Sequence, residues 1–217
     1  VNSELVSLSS WLDNKRALVL DGPAGKTVGA ISACVKQRRG PGDIVVPNMC
    51  TSSYLRISAS RACEAFHGSL RSYLEERALA AERDGGACEP FGLIYLDYCC
   101  RLYAGKFAVE KCPTADLELL FDTEAVDGRG CVLAITLASE ASGSGVDAPS
   151  HLRHYVCRLA VKHKLVAVPH ARRFSYAGNF VELFFVSSLE NADLYFRQPS
   201  IADVGNVAVW NSADCRT

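Results

Sequence analysis

The chain has no cysteine pair spaced C-x-x-C, no apolar run near 18 residues and almost no net charge. Each lack closes something off. Without that spacing, the ten cysteines at 34, 50, 63, 88, 99, 100, 112, 131, 157 and 215 show no zinc-site pattern. Without a long apolar run, no membrane-spanning helix is expected. The first residues do not read as a signal peptide. The cysteines are therefore read as free thiols in an intracellular, reducing compartment, with no membrane partner. Lys and Arg number 23 against 24 Asp and Glu, a net charge of −1, which removes the whole-molecule electrostatic case for a nucleic-acid partner and leaves a local patch open. Two phosphate-cradling motifs are also missing. A P-loop needs a glycine five residues before Gly25, where Leu20 stands, and Gly22, Gly25 and Gly29 do not fit G-x-G-x-x-G.

What is present reads as one α/β domain. The 217 residues are 49% hydrophobic and 22% charged, enough to bury a sizeable core. Residues 17–20, ALVL, form the apolar run that a buried parallel strand needs, and the run ends on Asp21. Gly22 to Gly25 make a turn with little side-chain bulk, and residues 26–38 read as a helix with Val28, Ile31 and Val35 on one face. Such a turn leaves bare N–H groups at a helix N-terminus, a seat for a polar or anionic ligand group, although an ordinary strand-to-helix turn looks the same.

Strand and helix signals then alternate. Strands are expected at 43–46, stopping at Pro47-Asn48, at 65–67, closed by Gly68-Ser69, at 91–97, ending on Asp97, and at 131–138. Helices are expected at 51–63, from Leu70 to about Arg83, after a Thr114 cap, and after Asp147. The ending differs, because the apolar runs 164–168 and 180–186 are joined by a stretch too short for a parallel crossover, which implies an antiparallel hairpin. Residues 1–14 are expected to form an N-terminal helix packed on the sheet edge, 15–190 the domain, and 191–217 an edge segment and polar tail.

An apolar strand ending in an acidic residue, followed by a short glycine-containing turn, resembles motif I of class I S-adenosylmethionine (SAM) dependent methyltransferases. The order of elements over 15–190 resembles the same superfamily, whose Rossmann-like fold is a seven-stranded, mostly parallel sheet with an antiparallel C-terminal hairpin and helices on both faces. The resemblance implies SAM as cofactor. It places Asp21, Gly22, Pro23, Ala24, Gly25 and Thr27 around the methionine part, Asn48 at the ribose, and Gly68 and Ser69 at the adenine. Asp97 and Tyr98 correspond to motif IV, where the methyl acceptor meets the sulfonium, and they are the expected catalytic pair.

The sequence also departs from the family. Asn48 stands where an acidic residue is usual, and the prolines of D/N-P-P-Y are missing after Asp97. Cys100 takes the cysteine's place in D-x-P-C, again without the proline. Plainer roles stay open: Asp21 as a cap on the next helix, Asn48 as a turn residue, His67 as a partly buried structural histidine.

The loop from His170 to Tyr176 adds Arg172, Arg173 and Tyr176, arginines with aromatics of the kind that contact phosphates and stack on single-stranded bases. Two arginines equally suit a carboxylate substrate. The expectation is a methyltransferase acting on RNA or another nucleic acid, without a metal. The alternative is a catalytically inactive relative serving as a binding or assembly subunit of a ribonucleoprotein, and a nucleotide-binding protein with an atypical turn is a third reading. The enzymatic readings require Asp21 and Asp97 on one rim of the sheet.

Overall fold

A computed structural model describes residues 1–33, 40–98, 100–102, 112–139, 147–176 and 178–193. The expected loop residues 103–111 and 141–146, the tail 194–217, the end of the helix expected to reach 38, and Cys34, Cys99 and Cys215 lie outside the described residues.

The helices are α1 (Asn2–Ser9), α2 (Lys26–Ser32), α3 (Thr51–Ser60), α4 (Leu70–Asp84), α5 (Pro113–Asp122) and α6 (Ala148–Lys162). The strands are β1 (Ala17–Val19), β2 (Ile44–Pro47), β3 (Glu64–Phe66), β4 (Leu93–Asp97), β5 (Cys131–Ala138), β6 (Leu165–Pro169), β7 (Phe174–Tyr176) and β8 (Asn179–Ser188). They form one sheet in the order β3-β2-β1-β4-β5-β8-β6, with β7 also paired to β8. β1 to β5 pair in parallel, and β8 runs antiparallel to both β5 and β6.

The expected seven-stranded sheet with a reversed closing strand is therefore present. It carries one addition: β7 was expected as loop, and instead it pairs with the first residues of β8, while β6 takes the later ones on the same edge. His170 to Arg173 interrupt that edge. A three-residue strand is too short to show a period of two, so the sequence pattern could not reveal it.

Strand alternation sorts the core into two layers. Leu18, Val45, Ile94, Leu96, Leu133 and Phe184 face α4, α5 and α6; Val19, Ile44, Tyr95, Ala134 and Phe185 face α1, α2 and α3. The N-terminal helix ends at Ser9 and lies over a face of the sheet rather than its edge, with Leu5 and Leu8 in the core. Helix α5 starts earlier than the Thr114 cap implied, with Cys112 at the cap and Pro113 in the first turn, where a missing N–H costs nothing. Among the described residues, no helix is long and apolar enough to cross a membrane.

The rim at the amino ends of β1 and β4 is stitched closely. Asn14 Nδ2 donates to the Pro90 carbonyl at 2.9 Å and to Asp127 Oδ2 at 2.7 Å, and the Gly92 N–H donates to the Arg16 carbonyl at 3.0 Å. A Cβ on Gly92 would lie 2.4 Å from the Asn14 carbonyl oxygen. Gly92→Ala is therefore expected to lower unfolding stability by about 2 kcal/mol, within the usual range for overpacking. The effect should appear as a lower urea midpoint at unchanged m-value; an unmoved midpoint would show that the rim relaxes freely.

Candidate active site

The strand order reverses between β1 and β4, since β1 leads outward to β2 and β3 while β4 leads to β5. In open α/β sheets, the crevice beyond the carboxyl ends of such a strand pair is where ligands bind. Val19 pairs with Tyr95, and the Leu20 N–H donates to the Tyr95 carbonyl at 2.8 Å. Asp21 and Asp97, each two residues further on, therefore stand level on the same rim.

Asp21 is half-buried and folds back over its own turn. Oδ1 accepts from the Gly22 N–H at 2.9 Å, and Oδ2 accepts from the N–H groups of Thr27 at 2.8 Å and Val28 at 2.9 Å. Gly25 makes this possible with φ near 57°, a left-handed conformation that glycine adopts at little cost. The plain-cap role of Asp21 is thus present. The bare helix N-terminus expected as an anion seat is filled by the protein's own carboxylate. Gly22, Pro23 and Ala24 are exposed, and a Cβ added at Gly22 or Gly25 would meet nothing within 4 Å, so the turn presents open backbone.

Asn48 links two strand ends. Its Nδ2 donates to the Asp21 carbonyl at 3.1 Å, and its Oδ1 accepts from the Cys50 N–H at 2.9 Å. One amide N–H and one lone pair remain. Gly68 sits under the Phe66 ring, where a Cβ would come within 2.4 Å of Cε1, and that ring packs edge-on against Tyr73. Ser69 caps α4, accepting from the Ser72 N–H at 3.0 Å. His67 is exposed rather than partly buried; it stacks on Tyr54 with ring centroids 4.8 Å apart, and its Nε2 lies 3.2 Å from Thr51 Oγ1.

Asp97 and Tyr98 do not converge, because neighbouring residues of a strand point to opposite faces. Asp97 follows Tyr95 toward the α1–α3 face and is half-buried at the rim. Tyr98 turns into the other layer, is 7% exposed, and donates its hydroxyl to Asp116 Oδ2 at 2.9 Å, with Arg71 Nη2 at 3.7 Å from the other oxygen of Asp116. Burial, then the neighbouring Asp116 carboxylate, push the Tyr98 hydroxyl well above its ordinary range. Burial likewise raises Asp116, against the Tyr98 hydrogen bond and Arg71. Tyr98 is neutral at any physiological pH. Cys100 is half-buried against the same layer.

The arginines of the expected substrate loop part ways. Arg173 donates through Nε to Glu182 Oε1 at 2.6 Å, and Arg153 of α6 donates through Nε to Glu182 Oε2 at 2.7 Å. Arg172 is exposed, with Nη1 3.8 Å from Glu4 Oε2. The side chain of Tyr176 lies outside the described residues. Sequence reasoning passed over Glu182 and Arg153. The available signal was a single acid inside the apolar run that became β8. Among the described residues, no group of three or more His, Cys, Asp or Glu side chains is placed to hold a metal ion.

Cys50 is a further residue the sequence reading did not single out. It is the exposed cap residue of α3, two positions past Asn48, and its thiol is pulled down to about 6 by hydrogen bonding with Ser52 and Ser53. Its alkylation by iodoacetamide is expected to level off above about pH 6.5, since the thiolate is the nucleophile. Buried Cys63, pushed up to about 11 chiefly by burial, should stay unmodified. Peptide mass spectrometry across pH 5 to 9 reads both. A Cys50 rate still rising tenfold per unit at pH 8 would contradict the assignment.

No family model matches the chain, and no curated protein matches it. Among solved structures it is similar to Trm1 from Pyrococcus horikoshii, in complex with S-adenosyl-L-methionine, with TM-score 0.54 and 11% identity over 88% of this chain and 56% of that one. It is also similar to the Methanococcus jannaschii fibrillarin pre-rRNA processing protein, with TM-score 0.52 and 12% identity over 82% of this chain and 69% of that one. The chain thus spans little more than half the length of Trm1. At these identities the likeness is one of fold: the chain has the Rossmann-like fold of the class I SAM-dependent methyltransferases.

Proposed function

We propose that the chain is a SAM-dependent methyltransferase acting on RNA through the crevice between β1 and β4. The observation that carries the reading is the shared rim of Asp21 and Asp97, with Asp21 already neutralising the start of α2. A filled helix N-terminus disfavours a phosphate there, because a second anion would meet the first. The residues present fit SAM instead, a ligand without phosphate whose ammonium and sulfonium groups suit a rim of carboxylates. When bound, it supplies a methyl group on positively charged sulfur.

The chain's own residues bind and orient. Asp21 holds the turn so that the open backbone of Gly22, Pro23, Ala24 and Gly25 faces the ligand, and Thr27 anchors the turn through its N–H. The spare amide N–H of Asn48 serves the ribose without charge assistance, a weaker contact than a carboxylate gives. Gly68 keeps space beside the adenine, and Ser69 holds the start of α4 that borders it. Asp97 orients the acceptor and takes its proton, and Tyr98 acts as a positioning residue through Asp116. RNA is favoured over other acceptors by the basic side chains around Arg172 and Arg173, and by the pre-rRNA role of the fibrillarin named above.

One observation favours the inactive, assembly-subunit reading: the polar groups of Asp21, Asn48 and Ser69 are each engaged within the protein. Titration with SAM and S-adenosylhomocysteine separates the two. Ligand at ~100 times its dissociation constant should add about 2.7 kcal/mol of stability and shield Cys50 from iodoacetamide. The absence of any shift or shielding would sink the enzymatic reading. Binding without methyl transfer to any RNA pool would select the assembly subunit.

A further inference from the structure

We propose that Arg153, Glu182 and Arg173 form a preorganised clamp for the phosphodiester backbone of single-stranded RNA. The proposal takes from the preceding section only that RNA is the substrate.

Glu182 is fully buried in β8, among Phe180, Phe184 and the facing Ile135. A carboxylate there is costly unless both oxygens are paired. Both are, and the partners come from separate elements: Arg153 from α6, Arg173 from the break between β6 and β7. Each arginine spends its inner Nε on the carboxylate. Among the described residues, neither guanidinium makes another hydrogen bond, and the two side chains are 33% and 42% exposed. Both stems are therefore fixed through Nε, and each partly exposed guanidinium keeps a fork of two terminal nitrogens without a partner among the described residues. Such a fork matches two phosphate oxygens, and the ordering entropy that a free arginine loses on binding is already spent in the fold.

The surroundings favour a polyanion. The triad carries a net +1, and α6 contains no acidic residue; its exposed His151, His154 and Arg158 form a separate stripe of the helix from Arg153. Glu182 pairs with Ile135, one step from Thr136, which pairs with Asp97 on its other side. The clamp thus stands two strands from Asp97, about 10 Å along the sheet, and on the α4–α6 face, whereas Asp97 points to the α1–α3 face.

Binding of a fluorescein-labelled, single-stranded RNA 12-mer to the full chain, followed by anisotropy between 50 and 200 mM KCl, tests the clamp. Glu182→Gln removes a negative charge yet takes away the carboxylate that holds both forks, so it should weaken binding at least threefold; tighter or unchanged binding would overturn the proposal. Should that variant fail to fold, R153Q/E182Q/R173Q removes all three charges together and leaves no buried carboxylate unpaired. It should flatten the slope of log affinity against log salt by about 1.4, two contacts at ~0.7 each for a single strand. An unchanged slope would overturn the clamp, and so would wild-type protein that binds no RNA. Equal displacement of the RNA by polyglutamate would overturn it in favour of an acidic peptide. The thermal shift with S-adenosylhomocysteine reports on the crevice alone. Its loss in wild-type protein while RNA binding keeps its triad dependence would end the methyltransferase reading and leave the clamp standing.

Discussion

Asp97→Asn is expected to lower methyl transfer by about 10²-fold or more while leaving the fold and the S-adenosylhomocysteine thermal shift nearly unchanged. A positioned proton acceptor contributes roughly 10²–10⁴-fold, and the substitution removes that capacity at almost constant volume. The fold should survive because Asp97 closes β4 at the rim, where its pairing with Thr136 is made by backbone atoms, and the side chain is only half-buried. Transfer of a tritiated methyl group from SAM to total RNA is the direct measurement. Turnover within a few-fold of the parent would assign the acceptor side to another residue. A lost thermal shift would instead show that Asp97 serves the cofactor more than the acceptor.

Glu182→Leu is expected to cost about 3 kcal/mol of unfolding stability, near the lower end of what breaking a buried ion pair costs. The lower end applies because both arginines still reach water and can turn outward. For a chain of this size, that loss corresponds to a fall in Tm of about 10 °C. Replacing Arg153, Glu182 and Arg173 together by apolar residues of similar volume should recover much of the loss, since an apolar core often equals or exceeds a buried triad in stability. Urea unfolding of the two variants beside the parent checks both statements. A Glu182→Leu protein as stable as the parent would mean that the carboxylate contributes nothing to the fold.

These two residues differ in how far the sequence exposes them. Asp97 is visible because it ends an apolar, β-branched run, a local signal of the same kind that marks Asp21. Glu182 is locally an anomaly, one acid in an apolar strand, and its meaning depends on Arg153, 29 positions away, and Arg173, 9 positions away. The loop from His170 to Tyr176 shows the same limit. Its arginines stand side by side in sequence, yet Arg173 turns to Glu182 and Arg172 toward Glu4 of the N-terminal helix. Asp97 and Tyr98 are adjacent in sequence yet point into different layers, since strand alternation sends neighbouring side chains to opposite faces.

By itself the sequence determined the alternation of strands and helices, the closing hairpin, and the rim positions of Asp21, Asn48 and Asp97, because hydrophobic period and turn chemistry are read within a dozen residues. Only the tertiary structure decided what those polar groups do with their hydrogen bonds. It turned Asp21 back onto Thr27 and Val28, committed Asn48 to the end of β1 and Tyr98 to Asp116, and drew two distant arginines onto one carboxylate. Burial imposes those choices: a polar group taken out of water must find a partner, and which partner lies within 3 Å is settled by how the layers pack.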